Sequence, residues 1–489
     1  VSIDPDRVLR VNGSRFFPIG LLELGIDRYP ADWNQRIRDS GANFIWDNGF
    51  AYSDSTPACE AIRDSSNAAG YYVLVGSPAT WEWDDPDTPE PEVEQPLYEA
   101  GELQSVNVCF PYWSLHLGYV NRDEPEWTIP RGVVGNVDST HVHDTYAQIR
   151  AAEPFKIVAI NFGNAHLTGD LDQWKADVSG FLPAADVVMS TNYPYPAGPG
   201  TCGPYNVWGP GCSLDRLWQA ADVFRTELAP AKPLWMILQA HKGIPRKEAR
   251  WAATQSIIHG ATGLLWAGWT WYHPLGDGEP NWPTMREVIS EFTALDEALT
   301  QPDVPSVTSL EPDVDVLGKV DPSDELLVFA ASRNGFRGEA AIRMPGVAGH
   351  WVEVLHENRW LPIEDDEIVD FFDGYQSHIY QVQSIGFQPP VDAPFVAGEP
   401  ATALRLVVFP NPAQGVVAAR LSAPAVEGAA VTVHDVTGRR VGRAEVLSQG
   451  PHAARVAWDA REAGALPGLY FLRARTADGG ATTARAVLR

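Results

Sequence analysis

The sequence predicts an α/β protein: a (β/α)8 TIM barrel over residues 1–303, followed by two small all-β sandwich domains. Three observations predict it. Over the first part of the chain short apolar runs alternate with amphipathic helical stretches, the pattern of parallel βαβ units. Eight such runs fall there, which is the strand count of a closed α/β barrel. Beyond Pro302 the helical period disappears and short alternating strands take over.

The eight strands are expected at 16–22, 43–47, 71–76, 115–121, 156–161, 186–191, 233–239 and 263–269, with helical patterns at 31–40, 59–69, 138–152, 214–228 and 246–259. An open doubly wound sheet is the alternative, but no Gly-rich phosphate fingerprint comes after any strand. Pro302 to Pro305 closes the last barrel helix. Strands at 326–331, 339–344, 350–355, 359–362 and 378–382 then predict an antiparallel accessory sandwich over 304–387. A proline-rich linker, 388–400, leads to a final β-domain, 401–489.

Composition sets the outer limits. The 489 residues are 45% hydrophobic and 20% charged, as in ordinary globular protein. No run approaches the ~20 apolar residues of a membrane helix, so no membrane span is expected. The chain starts at Val1 without a charged-then-apolar leader, and any export signal is expected to have been removed. A net charge of −27 argues against a nucleic-acid partner, which would need clustered Lys and Arg. The charge is uneven: residues 401–489 hold eleven Arg, no Lys and six Asp or Glu, a net +5, which leaves −32 on residues 1–400. That break marks a separate module. Among the four cysteines, Cys202 and Cys212 flank a Gly/Pro-rich loop that a disulfide would stiffen, and Cys59 with Cys109 would form the remaining pair. Free buried thiols are the alternative. The spacing fits no zinc motif.

Barrel enzymes place their reacting groups at the C-terminal ends of strands and in the loops just beyond them. That rule converts the strands into a rim: Glu23, Asp47 and Asn48, then Trp81, Glu82 and Trp83, then Asn121, Asp123, Glu124 and Trp127. Asn161, Asn192, Tyr193, Tyr195, Gln239, His241, Trp269 and Trp271 complete it. Such a rim, polar, carboxylate-rich and aromatic, suits sugar rings, which offer apolar C–H faces to indoles and hydroxyl edges to amides and acids. Trp46, Trp235 and Trp266, inside strands, are expected in the core instead. Glycosidic cleavage needs a protonated carboxyl group at the leaving oxygen and a second carboxylate as nucleophile or base. Glu124, closing the fourth strand, is the candidate acid. Asp47 and Asp123 are the further catalytic candidates.

The segment Asn121-Arg122-Asp123-Glu124-Pro125 resembles the Asn-Glu-Pro end of strand four in clan A glycoside hydrolases, whose Glu is the general acid/base. Three further stretches are similar to bacterial glycosidase-like barrels of this group: 11–20, 233–240, and Arg246, Glu248 and 259–263. The similarity spans most of 8–273 and implies hydrolysis of a poly- or oligosaccharide. Two positions depart from it. Asp123 stands where the clan has Asn, and Gln239 stands where its nucleophilic Glu ends strand seven. Glutamine cannot form a glycosyl ester. Three routes stay open: an inverting reaction using Asp47, Glu23 or Glu82; an N-acetyl group of the substrate as nucleophile, oriented by Asp123; or binding without cleavage, which makes the barrel a pseudo-glycosidase.

In the tail, Phe409-Pro410-Asn411-Pro412, the run from Val431 to Arg439 and the run from Pro467 to Leu472 resemble immunoglobulin-like C-terminal domains of the type nine secretion and flagellar-hook-cap kind. The resemblance implies a secreted or cell-surface protein and a partner in the secretion machinery. Other chemistries fare worse. His141 and His143 have no third ligand at recognisable spacing, and no Gly-x-Ser-x-Gly elbow is present. The acidic run from Glu82 to Glu94 lacks the spacing of a calcium loop. Neither a metal nor a cofactor is expected.

Overall fold

The computed structural model describes residues 1–23, 33–47, 64, 67–68, 70–76, 115–125, 139–163, 171–192, 214–240, 244–267, 282–384, 387, 405–408, 416–422, 428–448, 453–461, 463–477 and 480–488. Its contacts divide the chain into two units, Val1–Ile342 with Val369–His378, and Arg343–Ile368 with Ile379–Arg489.

The first unit opens with three short antiparallel strands, β1 (Ser2–Ile3), β2 (Leu9–Val11) and β3 (Ser14–Phe16). Asn12 and Gly13 turn β2 into β3 with φ of 52° and 85°, the two positive values that a two-residue hairpin requires. Eight parallel strands come next: β4 (Ile19–Glu23), β5 (Phe44–Asp47), β6 (Tyr72–Gly76), β7 (His116–Asp123), β8 (Ile157–Phe162), β9 (Val187–Asn192), β10 (Leu234–Gln239) and β11 (Gly263–Ala267). They close in chain order, β11 pairing with β4, so the TIM barrel that the apolar runs predict is the fold. Helices Trp33–Ser40, Ser139–Ala152, Arg216–Val223 and Arg246–Ile258 fall where the helical period places them. The pattern at 59–69 lies mostly outside the described residues.

Strand alternation fills the barrel. Leu22, Phe44, Trp46, Leu74, Leu117, Val120, Ile157, Ala159, Val187, Met189, Trp235, Ile237, Leu265 and Ala267 form one buried cluster, joined by Leu9 and Val11 of the hairpin. Trp46, Trp235 and Trp266 are completely buried, as expected of indoles inside strands. At Gly20 a Cβ would lie 1.7 Å from the Phe44 carbonyl oxygen, a backbone atom that cannot step aside. Gly20→Ala is therefore expected to destabilise the barrel by at least ~1–3 kcal/mol, the usual cost of overpacking; urea unfolding measures it, and an unchanged midpoint would refute the tight packing.

Helix Arg246–Ile258 continues the same unit into antiparallel strands β12 (Asp303–Val304), β14 (Val314–Val320) and β15 (Leu326–Ser332), while β13 (Thr308–Ser309), β16 (Gly338–Arg343) and β19 (Glu367–Phe372) form a separate three-stranded sheet. The Trp251 indole N–H donates to the Ser332 carbonyl over 2.5 Å, and buried Arg250 donates to Ser377 O over 2.8 Å. Asp215 accepts from the Asn334 backbone N–H at 2.7 Å and from the Tyr375 hydroxyl at 3.2 Å. His259, ending the helix, donates from Nδ1 to Asp222 at 2.7 Å and from Nε2 to Asp315 at 3.4 Å, stacked on Trp218.

Burial lowers the His259 pKa, but the bonds to Asp222 and Asp315 outweigh burial and hold it at about 9. A folded pKa above the ordinary 6.5 means stability fully present below pH 6.5 and lost as pH rises through about 9. Wild type is expected to lose up to roughly 3 kcal/mol across that window and His259→Gln to lose none of it. Parallel denaturant titrations at pH 6 and pH 10 would show the difference.

In the second unit β17 (Trp351–Val354) pairs antiparallel with β18 (Arg359–Pro362) and with the end of β20 (Ser377–Val382). The tail forms a sandwich of β21 (Arg405–Val408), β22 (Val416–Ser422), β23 (Ala430–Asp435), β24 (Arg440–Ser448), β25 (Ala453–Asp459), β26 (Gly468–Arg475) and β27 (Ala481–Leu488). The order is β21-β22-β25-β24-β23-β26-β27. The first half of β24, from Arg440 to Ala444, pairs with β23; its second half, from Glu445 to Ser448, pairs with β25. One strand thus serves both sheets, a corner familiar in β-sandwiches. Val417, Leu421, Val431, Val433, Val456, Trp458 and Leu472 fill the space between them. The Tyr470 hydroxyl donates to Leu466 O, four residues back, at 2.7 Å, the geometry of a tyrosine corner.

Candidate functional site

The barrel defines a C-terminal mouth, and its strands end there at Glu23, Asp47, Gly76, Asp123, Phe162, Asn192, Gln239 and Ala267. Five of the eight ends, on strands one, two, four, six and seven, are carboxylates or carboxamides that the sequence marks as reacting or sugar-binding groups. Glu23 and Asp47 are register partners on neighbouring strands.

The interior is apolar up to the mouth and then turns polar. Along the alternation past Ala159, Met189 and Ile237, the next inward positions are Asn161, Thr191 and Gln239, all buried. Asn161 Nδ2 donates to the Thr191 hydroxyl at 2.7 Å, so two neighbouring strands share one polar layer. Buried amides keep a fixed orientation only when hydrogen-bonded, and this bond supplies it. Thr191 is a member that sequence reasoning passed over; its parity with Val187 and Met189 is the signal that finds it.

Strand β7 delivers the candidate acid. Its register against β8 runs Val120 with Ala159, then skips to Arg122 with Ile160 and Asp123 with Asn161. Asn121 is the extra residue of a β-bulge, which bends a strand and re-aims the side chains beyond it. Its amide serves the wall: Nδ2 donates to Val142 O at 2.9 Å and to Ala184 O at 3.2 Å, both on the helical layer. Asn121 thus anchors the bulge behind the mouth. Just beyond the strand, Glu124 adopts φ 48° and donates its backbone N–H to Asn161 O at 2.8 Å. A left-handed backbone at a residue with a bulky side chain is uncommon and is held here by the surrounding fold. Glu124 is half-buried and Pro125 buried behind it. The candidate acid, the bulge and the polar layer thus meet through Asn161.

Gln239 ends β10 in register with Ala267, and the chain continues with Ala240 N–H donating to Ala267 O at 2.8 Å. Strand seven therefore ends in a buried carboxamide.

Asn48, Trp81, Glu82, Trp83, Trp127, Tyr193, Tyr195, His241, Trp269 and Trp271 lie outside the described residues, as do Cys59, Cys109, Cys202 and Cys212. His143 contacts the Gly180 carbonyl at 2.9 Å, which ties its helix to the residue just after helix Leu171–Ser179. Among the described residues no group of three or more His, Cys, Asp or Glu is placed to hold a metal ion, and no helix is long and apolar enough to cross a membrane.

No family model matches the chain, and no curated protein matches it. Solved structures similar to it include a family 39 glycoside hydrolase from Bacteroides cellulosilyticus, 13% identical with a TM-score of 0.47, covering 78% of this chain and 82% of that one. A family 51 α-L-arabinofuranosidase from Bifidobacterium longum is 10% identical with a TM-score of 0.47, covering 78% and 97%. A family 27 β-L-arabinopyranosidase from Geobacillus stearothermophilus is 10% identical with a TM-score of 0.46, covering 76% and 98%. The barrel stands on its own strand pairing.

Proposed function

We propose that the protein is a glycoside hydrolase acting on a poly- or oligosaccharide at the barrel mouth, with Glu124 as general acid. One observation supports this most: Glu124 directly succeeds the fourth strand of a closed barrel, its backbone tied at 2.8 Å to Asn161 in the polar layer. The carboxylates Glu23, Asp47 and Asp123, all at strand ends, supply the partner that Gln239 cannot. Asp47 is the preferred base for an inverting reaction, and Asp123 the group that would orient a substrate N-acetyl. The remaining rim residues, Trp81, Trp83, Trp127, Trp269 and Trp271 with Tyr193 and Tyr195, would form sugar subsites. No cofactor enters this reading.

A polysaccharide panel assayed with wild type and Glu124→Gln, with product anomers tracked by NMR, tests it. Inversion at the anomeric carbon supports a base acting on water from carboxyls ~6.5–9.5 Å apart, and retention a substrate nucleophile or a closer pair. Equal product release by both proteins would remove Glu124 from the role. The second reading, a carbohydrate-binding barrel without catalysis, is favoured by Gln239 alone, and binding without release from every glycan would establish it.

The chain organisation that goes with this function is barrel 1–303, accessory sandwich 304–387, linker 388–400 and sorting-type module 401–489, on a secreted or cell-surface protein. The sandwich of residues 405–488, with its tyrosine corner, supports the immunoglobulin-like character of the last module.

A further inference from the structure

The sheet formed by β24, β23, β26 and β27 has two unlike faces. Val431, Val433, Ala444, Leu472, Ala474 and Ala486 face the core. Alternation therefore turns their neighbours outward, and the register aligns those neighbours in rows. One row runs Arg443, Thr432, Arg473, Thr483 across the four strands. The next runs Arg440, His434, Phe471, Arg485, where a bulge after Val433 brings Arg440 opposite His434. Arg475, opposite Ala430 and Ala481, extends the first column of arginines along β26. All five arginines are exposed.

The four strands themselves carry two acids, Asp435 and Glu445. Asp435 at the hairpin is occupied by the Thr437 hydroxyl at 2.6 Å and by Arg439 Nε at 3.1 Å. Glu445 lies at the corner where β24 leaves this sheet and pairs with Ala457 of β25. His434 is engaged locally, with Nε2 3.0 Å from the Thr432 hydroxyl and Nδ1 3.1 Å from Gly438 O. Five of the module's eleven arginines thus fall on one face of this sheet, while Arg405, Arg420 and Arg455 lie on strands of the other.

We propose that this face binds an anionic glycan, a polysaccharide bearing carboxylate or sulfate groups along its length. Guanidinium groups present planar forks that match such oxyanions two bonds at a time, which an ammonium cannot do, and the module contains no lysine at all. Strands ~4.8 Å apart and alternate residues along a strand set these forks in a repeating grid, suited to a repeating polymer. The half-buried ring of Phe471, between His434 and Arg485, offers an apolar surface to a sugar face. A nucleic acid is the poorer occupant. Its duplex carries one charge per ~1.7 Å, and residues 1–400 bring −32 to any complex, so a sparsely charged chain is favoured.

The test uses the full-length protein, with heparin as the sulfated probe, polygalacturonate as the carboxylated one, dextran as the neutral one and duplex DNA as the competing polyanion. Titrations at 50 and 150 mM NaCl compare wild type with the triple variant Arg443→Thr, Arg473→Thr, Arg475→Thr, in which threonine suits the exposed strand positions. Binding of heparin or polygalacturonate, weakened at least tenfold in the triple variant at an unchanged melting temperature, is the expected result. The ratio between those two glycans separates sulfate from carboxylate recognition. A second variant with Lys at the same three positions keeps the net charge and is expected to bind more weakly than wild type. Absence of binding to either anionic glycan, equal binding by wild type and the threonine variant, or tighter binding to DNA than to both glycans would each overturn the proposal.

Discussion

Glu291→Ala is expected to lower the unfolding free energy by about 3–5 kcal/mol, because it leaves a buried guanidinium without its carboxylate. Arg250, on helix Arg246–Ile258, donates Nε–H to Glu291 of helix Trp282–Thr293 at 2.7 Å. The two side chains are only 7% and 4% exposed, so little water can replace either partner. Arg246 also reaches Glu291, and its Nε lies 3.1 Å from Glu287, so the carboxylate holds together a small network of charges between two barrel helices. Forming such a pair gains little over a well-packed apolar pair, since both ions must first be desolvated, but breaking it from one side is costly. The double variant Arg250→Met, Glu291→Leu is accordingly expected to lose much less than Glu291→Ala. Guanidinium unfolding of the three proteins measures the order, and a single substitution no worse than the double would refute a buried, mutually dependent pair.

Glu124→Gln is expected to reduce kcat on a glycan substrate by roughly 10²–10⁴-fold with little change in KM, the loss typical of removing one positioned proton donor. Glutamine keeps the shape and the backbone that sets φ 48°, so the fold and the bond to Asn161 O should survive and the melting temperature with them. A matched fall in kcat and kcat/KM would mark an interaction made in the transition state, whereas a rise in KM alone would mark ordinary binding. Asp47→Asn, read in the same assay, distinguishes the partner. A comparable loss supports Asp47 as base, and full activity transfers the role to another strand-end carboxylate.

The barrel was legible in the sequence because burial on both faces writes a parallel strand as a near-continuous apolar run, and all eight runs became strands. Several elements that escaped notice have residues that do not look buried. β14 carries Asp315, Gly318 and Lys319 within seven residues, and β19 (Glu367–Phe372) exposes Val369 and Phe371 while burying Asp370. β2 and β3 are only three residues each, although Asn12-Gly13 between them is a strong hairpin signal. At the mouth, strand-end position was legible and orientation was not. Asn121, read from sequence as part of the rim, faces the helical layer because the bulge depends on how β8 pairs with β7, information that β7 alone does not contain.

That bulge also bears on anyone who would move this mouth's chemistry into another barrel, or another barrel's into it. Counting residues from the start of β7 gives the wrong address for Asp123 and Glu124, because Leu117 against β6 and Asn121 against β8 each take a place in the count without a partner in that ladder. A graft aligned without a gap would shift both acids by one place and exchange the face each is offered. The address has to be counted backward from the rung shared by Asp123 and Asn161, and any host strand needs its own inserted residue with an outward amide to hold the kink open.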